Sequence, residues 1–244
     1  MERGPVIKWF KELQSTNDEL LGHIGDYDNL SVVAALSQTS GRGQRGNRWL
    51  SSPGENLTFS ILYKPRSLPA AEFMSITHLA TLAVRDWMLS QGAPAKIKWP
   101  NDIYCGHRKM CGMLIENTLS GGMIGASVIG IGINLNQTVF PGELVNPGSL
   151  KRLTGRDFDL DQSLREILSL MDFGLPESET GRERLRDRYN EDLFRKGVPA
   201  PYRDLRSGEE FTGTIRGAAP DGRLIVETGG KVRLFSFKEV GYII

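Results

Sequence analysis

Two prolines, Pro199 and Pro201, sit in a stretch (197–202) that no helix can cross, and the sequence changes character on either side of them. Before them, strand-like runs alternate with helix-like ones. After them come only short apolar runs, at 211–216, 223–227 and 232–237, separated by Pro220-Asp221-Gly222 and Gly229-Gly230, which read as hairpin turns. Roughly 45 residues of this kind predict a small β-barrel. The expected fold class is α+β: residues 1–196 form a mixed sheet flanked by helices, residues 197–244 form a small all-β domain, and 197–202 serve as a linker.

Within the first part, residues 6–10 and 31–37 read as strands, the second of them buried. Thr16 followed by Glu19 has the spacing of a capping box, so a helix is expected to start there. Residues 56–63 alternate, with Leu57, Phe59, Ile61 and Tyr63 on one face. Residues 70–89 place Phe73, Ile76, Ala80, Ala83, Val84 and Trp87 on one helical stripe. Segments 96–99 and 103–105 predict strands around a Pro100-Asn101-Asp102 turn. Segments 111–117 and 123–132 predict a hairpin, and 163–173 and 181–194 predict helices.

A chain of 244 residues can bury a core without staples. Its 30 basic and 29 acidic side chains give a net charge of +1, so no overall field draws in nucleic acid or a membrane, and any anion site must be local. Cys105 and Cys111 are too few for a disulfide framework or a closed zinc site, and His23, His78 and His107 lack metal-ligand spacing. With no signal-peptide pattern and no long apolar run, the chain reads as cytoplasmic.

Four segments carry the chemistry. The run from Gly41 to Trp49 holds three arginines, three glycines and no acid. Glycine lets backbone N–H groups approach an anion, and arginine grips carboxylate or phosphate through paired hydrogen bonds. The same composition also suits a solvated surface loop. Lys98-Trp99-Pro100-Asn101-Asp102 sets an aromatic face beside an amide and a carboxylate, on a composition common in plain turns. Lys109, with Gly112 three residues on, stands where an apolar strand begins and offers a point charge. Gly130 and Gly132, ahead of Asn134, allow a flat ligand to approach a strand end, or else pack that strand on the 70–89 helix. Cys111 invites a thioester reading, but at the head of an apolar strand it reads as a small buried side chain.

Each segment alone is ambiguous, but their order and spacing are not. Ser15-Thr16-Asn17, Gly41-Arg42-Gly43 through Trp49, Lys98 to Asp102, Arg108-Lys109-x-x-Gly112 and Gly130 to Asn134 together resemble the biotin–protein ligases over essentially the whole chain. The resemblance implies a catalytic domain related to the class II synthetases and a C-terminal SH3-like barrel. It implies that Ser15, Thr16, Asn17 and Gln38 line a biotin pocket, and that Gly41, Arg42, Gly43 and Gln44 belong to a loop closing over biotin and its adenylate. Lys109 matches the lysine that meets biotin's carboxylate and the phosphate. Gly112, Gly130 and Gly132 match pocket walls. Arg45, Trp49, Asn101 and Asn134 match nucleotide and loop-ordering positions. ATP and Mg²⁺ are the implied cofactors. Biotin, ATP and a biotin carboxyl carrier protein with its acceptor lysine are the implied partners, and a homodimer is compatible with the resemblance. Gln44 departs from members that carry a second arginine there. Other members begin with a helix-turn-helix domain; here the sequence enters the catalytic part directly, so no DNA partner is expected.

The resemblance implies adenylation followed by transfer. Arg42, Lys109 and Mg²⁺ would relieve repulsion as biotin's carboxylate meets the α-phosphate of ATP. Asp102 would then meet the acceptor amine. Ordinary aspartate and lysine differ by over six pKa units, roughly 3.9 against 10.4, so Asp102 is expected to orient the amine rather than strip its proton. A lipoate–protein ligase of the same fold and a non-catalytic binding module are the rival readings. Lys-Trp-Pro-Asn-Asp and the Gly-Arg-Gly loop favour biotin over lipoate, and the balanced charge argues against the binding module.

Overall fold

The computed structural model describes residues 5–244, apart from the side chain of Arg45. Its larger part is a seven-stranded sheet built from β1 (Ile7–Phe10), β2 (Val32–Ala35), β3 (Leu57–Tyr63), β4 (Ala95–Lys98), β5 (Asp102–Cys105), β6 (Arg108–Ser120) and β7 (Met123–Ile133), in the order β1-β2-β3-β7-β6-β5-β4. β1 and β2 are parallel and the other neighbours antiparallel, so the sheet is mixed as expected.

Strand alternation divides the interior in two. Leu57, Phe59, Ile61 and Tyr63 of β3 join Ile76, Ala80, Ala83, Val84 and Trp87 of α2 (Met74–Ser90) in the main core. α4 (Leu160–Ser169) and α5 (Glu179–Glu191) complete that layer, through Leu164, Ile167, Leu185 and Tyr189. The opposite face of β3 carries Thr58, Ser60 and Leu62. There α1 (Thr16–Gly22) packs Leu20 against Val33, Leu62, Ala126 and Val128. The α1 layer covers only part of that face, and the cavity lies in the remainder. A short helix, α3 (Leu150–Thr154), follows the sheet.

Two local expectations are corrected. The N-cap of α1 is Ser15, whose Oγ accepts from Asp18 N, and Thr16 is the first helical residue. The capping box does not form because Thr16 turns toward Gln38, and Glu19 accepts from the Tyr27 hydroxyl. Residues 197–202 are not a linker: β8 (Pro199–Asp204) is an interior strand of a second, five-stranded antiparallel sheet. The other strands are β9 (Glu210–Ala218), β10 (Leu224–Thr228), β11 (Lys231–Phe235) and β12 (Val240–Tyr242), in the order β11-β10-β9-β8-β12. β12 pairs only with Tyr202–Asp204, so no neighbour there needs an N–H from Pro199 or Pro201.

The two sheets are joined at Trp99, whose Nε1 donates to Gly222 O at 3.0 Å and whose ring packs 5.1 Å from Phe237. Asn190 of α5 adds a second tie, its Oδ1 accepting from Ala218 N at 2.7 Å. Among the described residues no helix is long and apolar enough to cross a membrane.

Candidate active site

Strand register builds the floor of a cavity of about 290 Å³. Thr58, Gly132, Gly112, Asp102 and Lys98 are successive cross-strand partners on β3, β7, β6, β5 and β4. Directly paired residues share a sheet face, so they form one row with glycine at its middle and a carboxylate beside an ammonium at its end. The adjacent row runs Ser60, Gly130, Leu114. A Cβ on Gly130 would overlap the Asn17 carboxamide, and one on Gly132 would overlap the Trp49 indole. These glycines face the cavity, so the alternative in which they pack on the 70–89 helix does not hold. Alternation sends Cys111 to the other face, where the thiol is fully buried and burial pushes its pKa up, which leaves no thioester nucleophile.

One end of the trough is lined by uncharged hydrogen-bonding groups. Thr16 N donates to Gln38 Oε1 at 2.8 Å. Ser60 Oγ lies 2.7 Å from Thr16 Oγ1 and 2.6 Å from Asn17 Oδ1. Asn17 Nδ2 donates to Glu116 Oε2 at 2.9 Å, and Ser15 is buried beside it. The sequence reading missed Ser60 and Glu116. The polar Thr58 and Ser60 on the second face of an otherwise apolar strand were the available signal.

The glycine–arginine loop forms the rim. Gly43 N donates to Asn47 O, Trp49 N donates to Gly41 O, and residues Gln44–Gly46 make one 3₁₀ turn. Gln44 and Trp49 line the cavity. The Trp49 Nε1–H is buried without a partner, an open donor beside the glycine floor. Arg42 reaches outward to Asp18 at 2.5 Å and Glu116 at 2.7 Å, so its guanidinium is held by carboxylates at the rim. The side chain of Arg45 lies outside the described residues.

The charged end gathers Asp102, Lys109 and Lys98. Lys109 Nζ is 2.7 Å from Asp102 Oδ1. Lys98 stands over the rings of Tyr104 and Tyr242, 5.2 and 4.7 Å from their centroids. Burial lowers its pKa, with the charge of Asp102 opposing and those of Lys109 and Arg195 adding. Asn101 spends its amide on Met113 O, and Asn134 donates to Gly148 O at 2.9 Å, so both fix backbone around the site. Asn134 also lines an adjoining cavity with Trp49, Lys109, Glu143 and Val145. Leu205, Phe237, Lys238 and Tyr242 of the C-terminal part face the charged end, and nothing in their local sequence signalled it.

The model of the biotin/lipoate A/B protein ligase family matches residues 9–134, just over half of the chain and most of the residues described above. The chain belongs to this family. Among curated relatives it is 29% identical to the bifunctional ligase/repressor BirA of Escherichia coli over 91% of this chain and 69% of that protein. It is 32% identical to the biotin–[acetyl-CoA-carboxylase] ligase of Paracoccus denitrificans over 62% of this chain and 65% of that one. Among solved structures, the Aquifex aeolicus biotin protein ligase in complex with biotin and ATP superposes with a TM-score of 0.78 at 25% identity, covering 97% of each chain. That coverage includes both sheets, so the C-terminal sheet is part of the architecture shared with this relative.

Proposed function

We propose that this ligase condenses biotin with ATP to form biotinyl-5'-adenylate and passes the biotinyl group to a lysine of a biotin carboxyl carrier protein. The observation that carries the reading is the trough itself, neutral hydrogen-bonding groups at one end and an Asp–Lys pair at the other, with a floor of glycine between. A ureido ring is neutral and has two N–H donors and a carbonyl acceptor, which Ser15, Thr16, Asn17 and Gln38 can answer. A carboxylate carried on a short chain would lie toward Lys109.

In the first step a biotin carboxylate oxygen bonds to the α-phosphorus of ATP, the bond to the β-phosphate oxygen breaks, and pyrophosphate leaves. Lys109 exchanges Asp102 for these anions and offsets the charge that accumulates as they meet. The neighbouring cavity, with Trp49 and Asn134 on its wall, takes the nucleotide. Asp102 and Glu143 line the cavities and offer the oxygen ligands that magnesium takes, so they would hold the ion beside the phosphates. When bound, it neutralises phosphate charge.

In the second step the acceptor amine, having lost a proton, attacks the acyl carbon. The acyl–oxygen bond breaks, AMP departs with the electron pair, and the new amide nitrogen sheds a second proton. Asp102, released by Lys109, orients the amine.

The test is pyrophosphate exchange into ATP with biotin or lipoate, followed by mass spectrometry of a biotin carrier domain after incubation with biotin and Mg·ATP. Biotin alone should support exchange, and the carrier should gain one biotinyl group. Exchange with lipoate and not biotin would reverse the substrate assignment.

A further inference from the structure

In the proposed reaction Asp102 changes partner. In the structure its carboxylate is paired with Lys109. During adenylation Lys109 turns to the substrate anions, and Asp102 is left partly buried without its cation. A carboxylate stripped of its partner in such a place is costly, and it neutralises itself by taking up a proton or turns toward solvent.

Lys98 stands where it can prevent this. It is the residue directly opposite Asp102 across the β4–β5 hairpin, on the same face of the sheet. It makes no ion pair among the described residues, and its ammonium rests on the faces of Tyr104 and Tyr242. The three side chains come from β4, β5 and β12, so both sheets contribute to the clamp. Tyr242 is itself fixed by rings, 5.3 Å from Tyr202 and 6.3 Å from Phe194. The β4–β6 end of the cavity therefore sets two ammoniums beside Asp102, one engaged and one in reserve. Other charged and titratable groups facing this spot are Arg195 after α5, Tyr189 of α5, Cys111 of β6, Arg48 of the glycine–arginine loop and Lys238 of the C-terminal part.

We propose that Lys98 is a positioning residue: it takes over as the counter-ion of Asp102 when Lys109 leaves for the substrate, and the C-terminal sheet holds it ready through the ring of Tyr242. Adenylation tolerates the loss of this handover, because Asp102 can turn toward solvent and has no task until the acceptor amine arrives. Transfer does need it. The assignment rests on the ligase reading above, and it makes the second sheet part of the transfer machinery rather than a cover over the nucleotide.

The experiment compares wild type, Lys98→Met, Lys98→Arg and Tyr242→Leu in two assays: biotin-dependent pyrophosphate exchange, and single-turnover transfer from preformed adenylate to a biotin carrier domain. Methionine matches the lysine stem in volume, so the fold should survive, and circular dichroism checks it. Lys98→Met should keep exchange within about three-fold and slow transfer about 10- to 100-fold. Lys98→Arg should restore transfer, and Tyr242→Leu should fall between. If Lys98→Met does not fold, the Tyr242→Leu limb carries the same test. Wild-type transfer in Lys98→Met, no rescue of transfer by Lys98→Arg, or a loss of exchange equal to the loss of transfer overturns the role of Lys98. Absence of exchange in wild type overturns the ligase reading, and this assignment with it.

Discussion

The Gly41–Trp49 loop and the Trp99–Asp102 turn face each other across the cavity, and they are built by opposite rules. The loop holds itself together with its own backbone bonds, and its Arg42 is tied to carboxylates at the rim while Arg48 lines both cavities. The turn is anchored from four directions. Asn101 donates to Met113 O, Tyr189 Oη donates to Pro100 O at 2.8 Å, Trp99 donates to Gly222 O, and Phe237 packs on Trp99. A group that must meet developing charge gains from such pre-organisation. A cover that must admit substrate gains from weak, exposed ties. In the proposed reaction, then, the turn carries chemistry and the loop retains the intermediate.

The sharpest way to break that assignment is at Asp102 and at Lys109, the β6 lysine paired with it. Lys109→Ala should lower biotin-dependent pyrophosphate exchange by about 10²- to 10³-fold, as expected on losing a preorganised charge donor. Asp102→Asn should spare most of the exchange and slow transfer from preformed adenylate, with partial recovery at high pH where more acceptor amine is neutral. If Asp102→Asn instead abolishes exchange and leaves transfer intact, the two residues have been given each other's work.

The next effect tests the floor. Gly130→Ala places a methyl group where the Asn17 carboxamide lies, so Asn17 must move and the polar end of the trough opens. Overpacking of this kind costs on the order of 2 kcal/mol. Biotin affinity by calorimetry should weaken about 30-fold. An unchanged affinity would mean that Asn17 does not touch the ligand.

Much of this was legible in the sequence, for a physical reason. The main sheet's pattern is local: β3 alternates and α2 has a clear apolar stripe, so each announces its inward face. Motif order placed Asp102, Lys109 and the three glycines, and register then put Asp102, Gly112 and Gly132 in one row. What stayed hidden depends on contacts distant in the chain. Tyr242 reaches Lys98 from a strand near the C-terminus, and Arg42 meets Glu116, 74 residues away. Pro199 and Pro201 misled because a proline's lack of an N–H matters only on the side where a neighbour needs one.

A smaller effect separates the foundations of turn and loop by pH. The His78 ring is buried with both nitrogens unpaired, 4.3 Å from the ring of Tyr189, whose hydroxyl holds Pro100. Burial, helped by the charge of Arg186, lowers its pKa to about 3. Between the ordinary histidine value of roughly 6.5 and that figure, the unfolded chain takes up a proton that the folded chain refuses. Stability should therefore fall as pH drops below about 6.5, by up to ~1.4 kcal/mol per pH unit, or about 2 kcal/mol by pH 5. Urea midpoints for wild type and His78→Phe should converge at neutral pH and separate in acid. Identical acid slopes would show that His78 is hydrated or paired in solution.

The smallest effect belongs to the loop. Arg42 spans Asp18 and Glu116, but the side chains are 39%, 45% and 26% exposed. Exposed ion pairs contribute about 0–1 kcal/mol each, so the latch as a whole is worth about 1 kcal/mol. Arg42→Ala should still form the adenylate and should release it about five-fold faster. Gln44 brings no charge of its own to the cavity side of the loop, so wild type should itself release measurable adenylate. Salt gives an independent reading of the same latch. Raising ionic strength from about 0.05 to 0.5 M screens exposed charges, so release from wild type should rise toward that of the variant, while the variant changes little. If instead Arg42→Ala prevents adenylate formation, the arginine leaves its carboxylates to meet the phosphate directly, and the loop shares the chemistry assigned here to the turn.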